Sequence, residues 1–143
     1  MPSEIPTWFK QLSWSPTRSV GSMKRSDIPS ISGCYALTSR NRALLENNVL
    51  YVDKTTNLRN RVWGYLNDYM NVKPTSHKGR GFIFEYRDKY GDENLYARWT
   101  IFGGNIDHLE ANLIWYLNPE LNDRYEQGEL WDDTELLDPK LLL

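Results

Sequence analysis

Five side chains suited to the hydrolysis of a phosphodiester lie in the middle of the 143-residue chain. This reaction needs a positioned water, relief of the charge on the phosphorane and stabilisation of the leaving oxygen. One helical carboxylate, accompanied by waters and a phosphate oxygen, is an ordinary Mg²⁺ site. A tyrosine, with a pKa of about 10, becomes a base at neutral pH only where cations favour the phenolate. The chain offers two tyrosines, two such cations and one carboxylate: Tyr35, Tyr51, Lys54, Arg61 and Glu110.

A β-hairpin is predicted to hold the two tyrosines. Apolar stretches at residues 34–37 and 49–52 flank a polar segment that ends in the turn residues Asn47 and Asn48. If these stretches pair, Tyr35 and Tyr51 lie near the same height, and we expect their hydroxyls to converge on one water.

Two helices are predicted to carry the cation and the carboxylate. Apolar residues at helical spacing predict a helix from about Asn57 to Tyr69, with Thr56 as its N-cap. A second apolar stripe runs from Ile106 to Leu117, follows the cap residue Asn105 and carries Glu110. Two more strands are predicted, at residues 82–86 and 95–100.

Taken together, these residues resemble the GIY-YIG nuclease family, over roughly residues 31–122. Within it the pattern is most similar to the N-terminal nuclease module of the bacterial excision-repair endonuclease, whose signature has a Tyr-Val-Gly-Lys core, then Asn-Leu, two spaced basic residues and a tyrosine. The motifs that carry the resemblance are Gly33-Cys34-Tyr35, the run from Leu50 to Arg61, Tyr65, Glu110, and Pro119 to Asn122.

The resemblance implies a DNA endonuclease and a role for each matching side chain. Tyr35 is expected to act as the general base or to position the water. Tyr51 and Tyr65 are expected to donate hydrogen bonds around the scissile phosphate, and Arg61 to clamp its charge.

The remaining matches imply a metal and its surroundings. Glu110 is the expected ligand of Mg²⁺ or Mn²⁺, and Lys54 is expected to tune the tyrosines. Asn122, twelve residues after Glu110, is expected to orient the site or its loop.

Asp53 departs from the family pattern, because most relatives have glycine at this position. A glycine there indicates a positive φ or a close approach of the backbone to the substrate. Aspartate tolerates left-handed geometry, so we expect the fold to survive, but a carboxylate repels a phosphate unless a metal or Lys54 intervenes. Harmless drift, an extra metal or water contact, and weakened catalysis all stay open. The alternative function is a DNA-binding or regulatory module with a weakened site.

The charges are segregated along the chain, although the net charge is only −2. Residues 54–80 hold six Lys and Arg against one Asp, whereas residues 107–138 hold ten carboxylates against one Arg. Solvated faces of opposite sign, or a protein-interaction domain with an acidic tail, would give the same pattern. Since phosphate contacts dominate the affinity for DNA, four cations are predicted to contact the DNA backbone: Arg59, Lys73, Lys78 and Arg80.

The chain length suits one small α/β (α+β) domain. We expect a central three-stranded, mainly antiparallel sheet flanked by helices in residues 31–122. Residues 1–30 form an irregular arm with one short helix near Trp8, and residues 123–143 an acidic extension that packs on the same domain. A mean hydropathy of −0.64, no visible signal peptide and the single Cys34 predict a soluble cytoplasmic protein without a membrane partner. A homo-oligomer stays open, as one source of DNA specificity.

Overall fold

A computed structural model describes residues 5–39, 49–71 and 95–122, and of residues 65–71 it describes the backbone alone. The predicted strand at residues 82–86 and the acidic extension lie outside the described residues. In chain order the elements are α1 (Thr7–Lys10), β1 (Arg18–Ser19), a 3-10 turn (Arg25–Asp27), β2 (Gly33–Thr38), β3 (Val49–Thr55), α2 (Leu58–Asn71), β4 (Tyr96–Ile101) and α3 (Ile106–Leu117).

The described strands form one antiparallel sheet in the order β1-β4-β2-β3. The α+β class is therefore confirmed, with β4, β2 and β3 as the predicted three strands. The two-residue strand β1, from the N-terminal arm, adds a fourth strand beside β4. Strand β3 is the last strand of the described sheet on the other side.

The sheet separates two apolar cores. Because successive side chains of a strand point to opposite faces, Tyr35 and Tyr51 face α2, whereas Cys34 and Val52 face α3. Leu58 and Val62 of α2 complete the first core. The second core is completed by four apolar side chains of β4's end and α3: Phe102, Leu109, Leu113 and Leu117.

Both long helices begin at an asparagine. The Asn105 side chain accepts a hydrogen bond from the His108 backbone N–H at 3.2 Å, which confirms the predicted cap of α3. The Asn57 side chain accepts from the Asn60 N–H at 3.2 Å at the start of α2. The prediction that Thr56 caps α2 is therefore wrong, because the helix starts one residue later than the spacing indicated.

Gly33 is required by the close approach of β2 and β4. A Cβ built on Gly33 would lie 2.1 Å from the carbonyl oxygen of Thr100, well inside van der Waals contact. Any side chain there would push β2 away from β4. Gly33 therefore holds the strand that carries Tyr35 tightly in the sheet.

The described part of the N-terminal arm packs on the sheet. The predicted short helix is α1, whose Trp8 is 2% exposed and lies edge-on to Tyr116 of α3. The Ser15 N–H donates to the Trp99 carbonyl at 2.8 Å, which attaches the arm to β4. Within the described ranges, every helix is too short or too polar to span a lipid bilayer.

Candidate active site

The Asp53 carboxylate lies at the centre of the predicted site, and its side chain is only 14% exposed. The register of β2 and β3 places Tyr35 directly opposite Asp53. The Tyr35 hydroxyl donates to Asp53 Oδ2 at 3.1 Å, and Arg61 Nη1 donates to the same oxygen at 2.7 Å. A residue that the sequence marked only as a departure from the family is therefore the point where two predicted site residues meet.

Arg61 reaches this point from the first turn of α2. Its ion pair with Asp53 is half-buried, with the Arg61 side chain 29% exposed. Charge-assisted hydrogen bonds of this kind are shorter and stronger than those between neutral groups. The ion pair thus ties the start of α2 to the end of β3.

The other oxygen of Asp53 lies beside Glu110. The backbone N–H of Lys54 donates to Asp53 Oδ1 at 2.9 Å and to Glu110 Oε2 at 3.0 Å. Glu110 reaches this N–H from the second turn of α3, on the other side of the sheet. Because β3 is the outermost described strand, its outward N–H groups are open to side chains of α3. Two carboxylates from different elements therefore converge on one backbone donor.

Burial, together with this convergence, raises the pKa of Glu110 to about 7. Burial is the largest cause, followed by the hydrogen bond to Asp53 and the charge of Asp53, whereas the Lys54 N–H and the Lys54 charge act the other way. Near neutral pH the Glu110 carboxyl is consequently protonated for part of the time.

Tyr51 lies on the same face as Tyr35, but at a different height. It stands opposite Leu37, two cross-strand pairs on from Tyr35 and Asp53. The expectation of equal height is wrong because it depended on a hairpin register that the sequence does not specify.

The pKa of Tyr51 is raised, contrary to the expected effect of nearby cations. Burial is the main cause, and the charges of Asp53 and Glu110 add to it, while Arg61 opposes the rise only in part. Tyr51 therefore stays protonated at neutral pH, as a hydrogen-bond donor must.

The Lys54 side chain belongs to the face that α3 covers. Its Nζ forms an ion pair with Asp107 in the first turn of α3, and the two side chains are 40% and 70% exposed. Lys54 follows Asp53 directly, so strand alternation turns it away from the face of Tyr35 and Tyr51. Its expected role in tuning the tyrosines remains a prediction, whereas the Arg61 side chain does lie on their face.

Asn122 binds the backbone of β3 through both ends of its amide. Its Oδ1 accepts from the Val52 N–H at 2.8 Å, and its Nδ2 donates to the Val52 carbonyl at 2.8 Å. The N–H of Leu121 also donates to the Leu50 carbonyl at 2.9 Å. The segment after α3 thus covers the outer edge of β3 at Leu50 and Val52, on either side of Tyr51.

The other predicted site residues are only partly described. Tyr65 lies on α2, one turn after Arg61, in the portion described by its backbone alone. Arg59, a predicted DNA contact, donates from Nε to the Ile28 carbonyl at 2.8 Å, so it also attaches α2 to the segment before β2. The other three predicted DNA contacts lie outside the described residues: Lys73, Lys78 and Arg80.

The chemistry of the carboxylates suits a hard divalent cation. Asp53 and Glu110 present oxygens, the ligands that Mg²⁺ takes in proteins, together with waters and phosphate oxygens. In the part of the chain that the structure describes, no group of three or more His, Cys, Asp or Glu could hold a metal. Glu110 could hold such a cation with water or substrate oxygens, because one carboxylate is enough for Mg²⁺.

Two carboxylates, one in the proposed site and one at its rim, were not predicted from the sequence. Asp53 was recognised as unusual, but its contacts with Tyr35 and Arg61 were missed because they depend on the register. Asp107 was missed although it lies one helical turn before Glu110, a spacing that places both on one side of α3.

About a third of the chain is similar in sequence to known proteins. A protein named UvrABC system protein C from Prochlorococcus marinus subsp. pastoris (strain CCMP1986 / NIES-2087 / MED4) is 43% identical over 49 residues. The protein of the same name from Prochlorococcus marinus (strain MIT 9312) is 41% identical over 49 residues. The matched segment covers 34% of this chain and only 7% of each relative. No protein-family model matches the chain, and no solved structure matches it.

Proposed function

We propose that the chain is a Mg²⁺-dependent endonuclease that hydrolyses phosphodiester bonds of DNA through a site of the GIY-YIG type. The partial similarity to UvrABC system protein C supports a nuclease-related role. One observation supports the proposal most strongly. Residues that match the family signature, from β2, β3, α2 and α3, form hydrogen bonds of at most 3.1 Å with the oxygens of Asp53 or through the Lys54 N–H.

In this proposal the α2 side of β3 binds the scissile phosphate. Arg61 clamps the charge of the phosphate, and Tyr51, held protonated by its raised pKa, donates a hydrogen bond to it. Tyr35 positions the attacking water or accepts its proton. Asn122 acts through the backbone of β3, which it holds at Val52. Tyr65 is the proposed second tyrosine donor, one turn beyond Arg61.

Glu110 would hold the divalent cation, Mg²⁺ or Mn²⁺. Such a cation supplies charge stabilisation to a phosphorane and to a leaving oxygen. The contribution of the chain is to hold Glu110 Oε2 at the Lys54 N–H, the donor that it shares with Asp53.

DNA is the proposed partner of the basic stretch that includes Arg59, Lys73, Lys78 and Arg80. Because cations on phosphates release counterions, this proposal predicts DNA binding that weakens steeply as the salt concentration rises. A cytoplasmic location and a homo-oligomeric state stay predictions.

Nicking of supercoiled plasmid in the presence of Mg²⁺ tests the proposal, with the parent, Glu110→Ala and Asp107→Asn compared. Asp107 is the matched control because it is a carboxylate one turn earlier on the same helix, with its side chain 70% exposed. We expect Glu110→Ala to reduce nicking about 100-fold or more, and Asp107→Asn to nick nearly as fast as the parent. A Glu110→Ala variant that cuts as well as the parent overturns the metal assignment.

A second candidate function is a DNA-binding or regulatory module that does not cut. It is favoured by the placement of Asp53, whose carboxylate faces the position where a phosphate would meet Arg61. In this case the parent is inert, and Asp53→Gly restores nicking while Asp107→Gly does not. A parent that nicks in a Glu110-dependent manner excludes this second function.

A further inference from the structure

We infer that the Asp53 carboxylate is an internal anion that occupies the phosphate subsite of this site, so that a substrate phosphate must displace it from Arg61 and Tyr35. The inference rests on the proposed function for the identity of the substrate. It concerns the regulation of the same site, because it makes access to the subsite depend on one side chain of the chain itself.

The donors around Asp53 are those that an anionic oxygen requires. Arg61 supplies a charged N–H at 2.7 Å, and Tyr35 supplies a hydroxyl at 3.1 Å, both to Oδ2. The Lys54 backbone supplies an N–H at 2.9 Å to Oδ1. A guanidinium, a hydroxyl and a backbone N–H are all donors that proteins use on phosphate oxygens. The carboxylate therefore uses the hydrogen bonds that the proposed function assigns to substrate.

The backbone of Asp53 is ordinary extended strand. In the described part of the chain, the one non-glycine residue with a positive φ is Asn118, at 50°. The aspartate thus occupies the family's glycine position in regular pairing with Tyr35 and without a left-handed backbone. A glycine at this position would keep the same strand and leave the volume of the carboxylate empty.

Burial makes the internal anion a strong competitor. The Asp53 side chain is 14% exposed, so its ion pair with Arg61 is screened little by solvent. A phosphate that enters must break this pair and then lie beside the carboxylate, where the two negative charges repel each other. The exposed pair of Lys54 and Asp107 offers no such barrier, because water and salt screen it.

Two substitutions separate the charge of Asp53 from its volume. Asp53→Asn keeps the shape and an oxygen that accepts from Tyr35, but removes the ion pair with Arg61. Asp53→Gly removes the whole group. Asp107→Asn is the matched control, because it removes the same charge from a nearby carboxylate that also pairs with a cation.

Binding of inorganic phosphate tests the inference without DNA. Thermal unfolding is followed while phosphate is titrated at constant ionic strength, with the parent, Asp53→Asn, Asp53→Gly and Asp107→Asn compared. We expect the phosphate Kd of Asp53→Asn to be about tenfold or more below that of the parent, and Asp107→Asn to change it by less than about threefold. This gain in phosphate affinity must vanish when Asp53→Asn is combined with Arg61→Met. The inference is overturned if Asp53→Asn gains no more phosphate affinity than Asp107→Asn, or if its gain survives Arg61→Met.

A labelled short duplex, titrated by fluorescence anisotropy in EDTA, links the result to the proposed function. We expect Asp53→Asn to bind the duplex more tightly than Asp107→Asn and the parent do. If phosphate binds more tightly to Asp53→Asn but no variant binds DNA, the proposed function fails and the internal anion stands. If the parent binds and cuts DNA, and Asp53→Asn gains no more than Asp107→Asn, the internal anion fails and the proposed function stands.

Discussion

Two ion pairs lie on either side of β3, and they differ mainly in their burial. Asp53 and Arg61 face α2, with side chains 14% and 29% exposed, whereas Lys54 and Asp107 belong to the α3 face and are 40% and 70% exposed. Consecutive residues of one strand supply Asp53 and Lys54, so strand alternation alone sends them to different environments. The half-buried pair therefore joins two residues of the proposed site, while the exposed pair lies at its rim.

The largest expected effect on stability comes from breaking the half-buried pair. Arg61→Met removes the cation but keeps an aliphatic stem, and leaves Asp53 charged and half-buried. We expect the free energy of unfolding to fall by about 2 kcal/mol, because a buried charge without its partner is costly. Urea unfolding of Arg61→Met and the parent at pH 7 measures this loss of stability.

A second substitution checks the cause of this loss. Adding Asp53→Asn to Arg61→Met is expected to recover most of the stability, because it removes the stranded charge. If the double variant is less stable than Arg61→Met alone, the pair does not explain the loss.

The next effect concerns the cover on the outer edge of β3. Asn122→Ala removes both hydrogen bonds to Val52, and we expect a loss of about 1–2 kcal/mol and faster hydrogen exchange at the Val52 amide. Leu121→Ala is the control, because Leu121 is 44% exposed and its backbone hydrogen bond stays. Unchanged exchange at Val52 in Asn122→Ala would contradict this account of the edge.

A smaller, pH-dependent effect comes from Glu110. Its pKa in the folded chain is raised from 4.5 to about 7, so the folded state holds more protons than the unfolded state between these values. The stability that Glu110 contributes is therefore complete below pH 4.5 and is lost as the pH rises to about 7.

Glu110→Gln removes this titration. In EDTA, we expect its stability relative to the parent to rise by about 1 kcal/mol between pH 5 and pH 8. Thermal unfolding over this range measures the difference, and Glu120→Gln, at an exposed position, serves as the control. A parent that gains stability relative to Glu110→Gln as the pH rises would reverse the sign and refute the assignment.

The smallest effect is expected at the exposed pair. Asp107→Asn should change the free energy of unfolding by less than about 0.5 kcal/mol, and added salt should reduce that change further. Urea unfolding at two salt concentrations checks it. A loss as large as that of Arg61→Met would remove the distinction between the two pairs.

Much of the fold follows from local sequence signals. The short continuous apolar stretches predicted β2 and β3, the apolar stripe predicted α3, and Asn105 was recognised as its cap. These features depend on periodicity and on capping chemistry, which are properties of neighbouring residues. The start of α2 was missed by one residue because Thr56 and Asn57 are both good cap residues and tertiary contacts decide between them.

The centre of the site depended on information that is not local. The spacing identified Tyr35, Arg61 and Glu110, but the register of the hairpin decides that Asp53, rather than Tyr51, faces Tyr35. The convergence of Glu110 on the Lys54 N–H joins residues 56 positions apart. The periodicity of apolar residues does not predict such contacts, because they follow from how β3 and α3 pack.

The most direct measurement is single-turnover nicking of plasmid DNA by four chains: the parent, Asp53→Gly, Glu110→Ala and the double variant. We expect Asp53→Gly to cut at least as fast as the parent, because its phosphate subsite is empty, and Glu110→Ala to slow cutting about 100-fold or more in both backgrounds. Cutting that is independent of Glu110 in both backgrounds would contradict the account.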